Sequence, residues 1–176
     1  EPVEAVLSGS VGQEQLRVLG ERLAPAAAPR LLAAVAGLRL SIGVDATPSD
    51  MIAAVEAAVR DSARAVPPKG TLAALPPLCA RQVLTRISLL FAALVSHLVT
   101  NEGEQHLTTE APTGLLTLLG TLRRLSGTSL RSLRQAATAG SLGALAALAP
   151  ELRVAQETKR ELELQLEQIK EDAGSG

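Results

Sequence analysis

Residues 77–100, PLCARQVLTRISLLFAALVSHLVT, contain the strongest helical pattern in the chain. Apolar side chains recur there at steps of three and four residues, the spacing that places them on one face of an α-helix: Leu84, Ile87, Phe91, Leu94 and Leu98. Thr85, Ser88 and Ala92 form a second face of small residues, which would let another helix approach closely. We therefore predict a central helix that ends at Thr100 and is followed by a polar loop over 102–110.

Proline and glycine divide the rest of the chain into further helix-length pieces. Thr47-Pro48-Ser49-Asp50 is typical of a helix start, with a capping hydroxyl, a proline in the first turn and an acid placed as in a capping box. Pro25 is expected to end one helix and Gly140 to interrupt another. The predicted helices are 11–24, 29–38, one from 48 to before 67, 77–100, 112–126, 128–139, 141–148 and one from 150 onward.

Composition agrees with an all-α fold, because the chain has 30 Ala and 32 Leu among 176 residues. We predict a compact bundle of about six helices with a long charged C-terminal helix. The alternative is a short HEAT/armadillo-like solenoid fragment, since Leu-rich starts at Leu31, Leu72 and Leu115 are 41 and 43 residues apart. The predicted organisation is a lead-in over 1–10, a bundle over 11–149, a charged amphipathic helix over 150–172 and a flexible tail over 173–176.

Several functional classes are disfavoured by composition. The chain has one Phe, no Tyr and no Trp, so bases have nothing to stack on, and its net charge of -1 gives no general attraction to nucleic acid. The longest uninterrupted apolar run, 89–95, is far shorter than the roughly 20 residues of a membrane span. One cysteine cannot form an internal disulfide. We expect a cytoplasmic protein without a nucleic-acid partner or a transmembrane segment.

Catalytic and metal-binding chemistry has few candidate residues. His97 is expected at the boundary of the central helix, and His106 lies in the polar loop with acidic neighbours whose spacing matches no known ligand pattern. Cys79 lies in the first turn of a helix, where a thiol can become reactive, but no base is placed beside it, and we expect it to be buried as a small apolar side chain. We predict that the chain is not an enzyme and that it uses no cofactor and no metal.

A basic segment joins two of the predicted helices. Arg123-Arg124-Leu125-Ser126 has the form that basophilic kinases prefer, which makes Ser126 a candidate phosphorylation site. A phosphate there could meet a basic patch formed by Arg123, Arg124, Arg131 and Arg134. The alternative is an unmodified, solvated basic face.

The C-terminal helix is the other candidate interaction site. Residues 151–176 contain seven acidic and four basic residues, whereas 81–150 contain six basic and three acidic ones. Leu162, Leu166 and Ile169 form a narrow apolar stripe, here called the terminal seam, in barely two heptads. Such a stripe is expected to bind another protein chain or a second copy, and packing on the chain's own bundle is the alternative.

The sequence therefore predicts a non-catalytic helical interaction or assembly module of an intracellular scaffold-type protein. A lipid-surface protein with amphipathic helices is the alternative, and it is disfavoured by the lack of aromatic anchors and of a Lys/Arg-lined polar face.

Overall fold

The computed structural model describes residues 2–43, 45–63, 65–105 and 113–174, and these residues form an all-α bundle without strands. Two short 3-10 turns lie at Pro25–Ala27 and Leu72–Ala74. The α-helices of this part of the chain are α1 (Pro2–Ser8), α2 (Gln13–Arg22), α3 (Ala28–Ala36), α4 (Pro48–Ser62), α5 (Pro77–Gln105), α6 (Thr113–Ser126) and α7 (Arg131–Gly174).

Helix α5 is the centre of the bundle, as its apolar stripe predicts. It packs against α2 and α7, and Ile87, Phe91 and Leu94 are completely buried. Both contacts depend on glycine: a Cβ at Gly20 would collide with the Leu90 carbonyl, and one at Gly143 would collide with the Ser88 carbonyl. The small residue Ser88 therefore marks a real close approach between helices, because the backbones of α5 and α7 meet there without intervening side chains.

The contacts confirm a bundle and not a solenoid. Helices far apart in sequence pack together, including α2 with α5 and α3 with α7, whereas each unit of a solenoid contacts only its neighbours along the chain. The buried hydroxyl of Ser132 donates a hydrogen bond of 3.1 Å to the Ala36 carbonyl. The first turn of α7 thus supplies a hydrogen-bond donor to a carbonyl at the C-terminal end of α3. This contact joins two parts of the core that are 96 residues apart in sequence.

The predicted cap is confirmed at the start of α4, and a glycine that was not predicted as a cap ends α3 before the expected position 38. The Thr47 hydroxyl accepts a 3.2 Å hydrogen bond from the Asp50 amide and donates one of 2.6 Å to the Asp50 carboxylate. Gly37 ends α3 in the left-handed region at φ 92°, while the Leu38 amide bonds to the Ala33 carbonyl in a Schellman motif. A side chain at position 37 would be strained and would also meet the Thr71 hydroxyl.

The N-terminal segment is more structured than a lead-in. Helix α1 buries Ala5 and Val6 against α3 and α5, and the Arg86 side chain donates a 3.0 Å hydrogen bond to the Val6 carbonyl. A seven-residue helix has little stability alone, so its existence depends on this tertiary contact. Sequence periodicity is too short there to reveal it.

Three predicted helix ends are wrong, and in each case a helix continues through the expected break. Helix α5 runs past Gly103 to Gln105, and α7 continues through Gly140 and Pro150. One glycine costs a helix only about 1 kcal/mol, which packing readily offsets; Gly140 lies against Phe91 and Leu122. Pro150 removes the bond to the carbonyl four residues earlier, and Ala146, which carries that carbonyl, is exposed to water. The predicted segments 128–139, 141–148 and 150–172 therefore belong to one helix.

By length and composition, one helix of the described residues could cross a membrane: Pro77–Asn101, with a mean hydropathy of 1.8. Core helices of soluble proteins pass the same test, and the apolar stripe of this helix is buried in the bundle.

Candidate functional site

A groove lies between α5 and α7, with a volume of about 590 Å³. Both helices run in the same direction, since Arg81 and Leu84 border a second cavity with Arg131 and Gln135, while Ser88 lies further along at Gly143. Arg81 and Arg134 consequently stand on opposite walls at one end. The apolar lining residues are Leu84, Leu89, Ala139 and Leu142, and this surface is here called the α5–α7 groove.

The two arginines at the basic end have no carboxylate partner among the described residues. Arg134 donates a 2.9 Å hydrogen bond to the Thr128 carbonyl, which orients its guanidinium and leaves other N–H groups free to bind. Arg17 on α2 differs, because it bonds to Glu14 at 3.1 Å and lowers the pKa of that carboxyl below its usual value through this hydrogen bond and its charge. The basic end is thus the place where unpaired positive charge borders an apolar groove.

The structure divides the basic patch predicted from sequence. Arg134 lines the α5–α7 groove and Arg131 the adjoining cavity. Arg124 points elsewhere, with its Nε 2.8 Å from a carboxylate oxygen of Glu56 on α4, and Arg123 is exposed. The four residues therefore do not form one anion site. The prediction missed Arg81, because it considered only helices adjacent in sequence, and α5 meets α7 only in three dimensions.

Ser126 is partly buried at the end of α6 and lines the same groove. Its hydroxyl donates a 2.8 Å hydrogen bond to the Arg123 carbonyl. A phosphate at this position would lose that bond and lie at a helix C-terminus, which disfavours negative charge, although Arg134 and Arg81 border the same space. Phosphorylation of Ser126 stays a prediction.

The second half of α7 projects from the bundle over 151–171. The whole helix is about 66 Å long at the standard rise, and every residue from 151 to 171 is exposed. The terminal seam is bare, with Leu162, Leu166 and Ile169 exposed by 55%, 54% and 65%. The alternative of a helix packed on its own bundle is therefore wrong. Because α7 is continuous, Leu145 and Leu152 add further exposed apolar side chains before the seam.

Two ion pairs on this projecting helix join side chains of the same helix. Arg153 lies 3.4 Å from Glu157, and Lys159 lies 3.7 Å from Glu163. Exposed pairs of this spacing contribute only about 0.3–0.5 kcal/mol each, so they stabilise the helix slightly and are easily exchanged for other partners.

The residues considered for catalysis are not brought together. Cys79 is exposed, which corrects the prediction that it is buried: residues 77–79 at the start of α5 are all exposed, and the buried stripe of the helix begins at Val83. His97 is partly buried, as expected for a boundary residue, and one of its ring nitrogens lies 2.8 Å from the Asn101 amide. Cys79 and His97 are about 27 Å apart along one helix, and His106 lies outside the described residues. Within the described part of the chain, no three His, Cys, Asp or Glu residues are grouped to hold a metal ion.

Comparison with protein families, with curated proteins and with solved structures gives no match for this chain.

Proposed function

We propose that this protein is a non-catalytic helical assembly module, in which a compact bundle supports a projecting helix that binds another protein chain or a second copy. One observation carries the proposal: the terminal seam is more than half exposed, on a stretch of helix whose residues are all exposed over 151–171. Exposed apolar stripes of this kind mark interaction surfaces, and binding a second helix is the simplest way to cover this one.

The energetics of the helix support the same function. Most helical stability in proteins comes from tertiary packing of an apolar face, which this exposed half lacks, and Pro150 weakens it further at its base. Burying the three seam side chains would contribute about 1.5–3 kcal/mol each, which exceeds what the helix gains from its own ion pairs. Association would therefore stabilise this helix, and the bundle would stay folded without it.

Replacing the three residues of the terminal seam by serine tests this function. In the full chain, Leu162→Ser with Leu166→Ser and Ile169→Ser should weaken assembly by about a hundredfold or more. The melting temperature should barely change, because the side chains touch no part of the core. Sedimentation velocity over a wide concentration range measures the assembly, and circular dichroism measures the stability.

The matched control changes three exposed residues on the opposite face of the same turns: Arg160→Ser, Leu164→Ser and Gln168→Ser. It introduces the same three serines and should assemble like the wild type. A seam variant that also assembles like the wild type would contradict the proposed function.

A lipid surface is the second candidate partner, favoured by one observation: α5 contains a stretch apolar and long enough for a bilayer. The bundle would have to open for lipid to reach it, because Ile87, Phe91 and Leu94 are buried. Flotation with vesicles of mixed neutral and anionic lipid distinguishes the two functions. An assembly module should stay at the bottom of the gradient, whereas a lipid-binding protein should float with the vesicles.

A further inference from the structure

We propose that the α5–α7 groove of one copy binds the terminal seam of a second copy, so that the chain assembles head to tail. This inference rests on the proposed function and names the partner of the projecting helix. Two surfaces that the chain itself leaves uncovered would then cover each other.

The two surfaces match in size. Arg81 and Leu89, which bound the groove on α5, are about 12 Å apart along the helix axis, and Leu162 and Ile169 bound a seam of about 10.5 Å. The groove is apolar where the seam is apolar: Leu142 is 60% exposed and Leu89 is 38% exposed. Two turns of an amphipathic helix therefore fit the groove in the manner of other helix-in-groove complexes.

The two surfaces also match in charge. Glu161 directly precedes Leu162 and Glu163 directly follows it, so the two glutamates lie about 100° to either side of Leu162 on the helix. Arg81 and Arg134 stand on the two walls of the groove. If Leu162 enters at the basic end, each glutamate faces one arginine. Leu166 and Ile169 then lie over the apolar part. Glu163 needs only to give up its exposed contact with Lys159.

The occupant of the groove cannot be the seam of the same chain. Leu142 and Leu162 belong to one continuous helix and lie about 30 Å apart along it. A second copy brings the same seam without this restriction. Because the groove and the seam are different surfaces, their contact is heterologous: it builds a closed ring where the rotation between copies closes and an open filament where it does not.

Paired charge reversals test the inference in the full chain. The groove variant carries Arg81→Glu and Arg134→Glu, and the helix variant carries Glu161→Lys and Glu163→Lys. Each variant alone places like charges together and should assemble at least tenfold more weakly than the wild type. An equimolar mixture should recover assembly in alternating order, because each groove then meets a helix of opposite charge.

Two further variants separate this result from misfolding and from a general charge effect. Arg60→Glu with Arg123→Glu makes the same change in net charge outside the groove and should assemble normally. Leu142→Glu leaves both arginines in place and should block assembly, because it places a charge in the apolar part of the groove. The fold should tolerate this change, since the Leu142 side chain is exposed. Circular dichroism confirms that each variant remains helical.

Three outcomes would overturn the inference: a wild type that stays monomeric, a groove variant that assembles normally, or a mixture that does not recover. The proposed function fails separately, when the serine variant of the seam assembles normally. A groove variant that assembles while the serine variant does not would assign the seam to a different surface, such as a second seam in a coiled coil.

Discussion

The two halves of α7 show how one helix can serve two purposes. Its first half, from Arg131 to Leu148, is rich in alanine and glycine and packs closely on α5 and α6. Its second half is rich in charged residues and is exposed from 151 to 171. Backbone geometry is the same on both sides of Pro150, so the difference arises from the side chains: small ones allow backbones to meet, and charged ones stay in water. The first half holds the fold together, and the second is available for a partner.

We expect the largest difference in the free energy of unfolding between a variant of a core side chain that faces α7 and a variant of a side chain on the free half of α7. Phe91→Ala should destabilise the protein by about 3–5 kcal/mol, because Phe91 is completely buried and lies against Gly140. Leu166→Ala should cost less than about 0.5 kcal/mol in the monomer, since the side chain already contacts water. Urea unfolding at low protein concentration measures both. Similar losses of stability in the two variants would contradict the contrast between a packed half and a free half of α7.

A smaller effect is expected from close packing in the first half. Gly143→Ala would drive a methyl group into the Ser88 carbonyl and should destabilise the bundle by about 1–3 kcal/mol. The control is Gly120→Ala on α6, where a Cβ would meet nothing within 4 Å. That variant should gain up to about 1 kcal/mol from helix propensity. Thermal unfolding of the two variants should therefore shift in opposite directions.

Pro150 separates the two halves and gives a local effect. Pro150→Ala restores an intrahelical hydrogen bond and removes a steric clash, which should stabilise the free half by up to about 3 kcal/mol. Native-state amide exchange should show slower exchange over 151–165 and unchanged exchange in α5. Uniformly slower exchange throughout the chain would mean that both halves unfold as one unit.

The smallest effect concerns Ser126 at the basic end of the groove. Ser126→Glu adds a negative charge near Arg134 and should weaken assembly by about two- to fivefold, the range expected for one exposed charge contact. Ser49→Glu on α4 adds the same charge far from the groove and should leave assembly unchanged. Stronger assembly of the Ser126 variant would contradict a role for the groove arginines in binding the acidic helix.

Much of the fold can be predicted from local patterns. The start of α4 at Pro48, the end of α6 at Ser126 and the buried stripe of α5 all follow from caps, breakers and periodicity. The continuation of helices through Gly103, Gly140 and Pro150 could not be predicted, since packing or hydration can offset the cost of a glycine or a proline in a helix. Of the candidate site, the seam was visible in sequence, whereas the groove was not, because Arg81 and Arg134 are 53 residues apart.

Propensity and periodicity act within a few residues, so local sequence is enough to specify the helical class, the central position of α5 and the contrast between an apolar bundle and a charged terminal helix. Three other features arise from contacts between distant residues: three segments fuse into one 44-residue helix, α1 belongs to the core, and two unpaired arginines meet beside an apolar groove. These features depend on which helices come into contact. That is settled by close packing between distant residues, such as Gly143 against Ser88, and no local pattern records it.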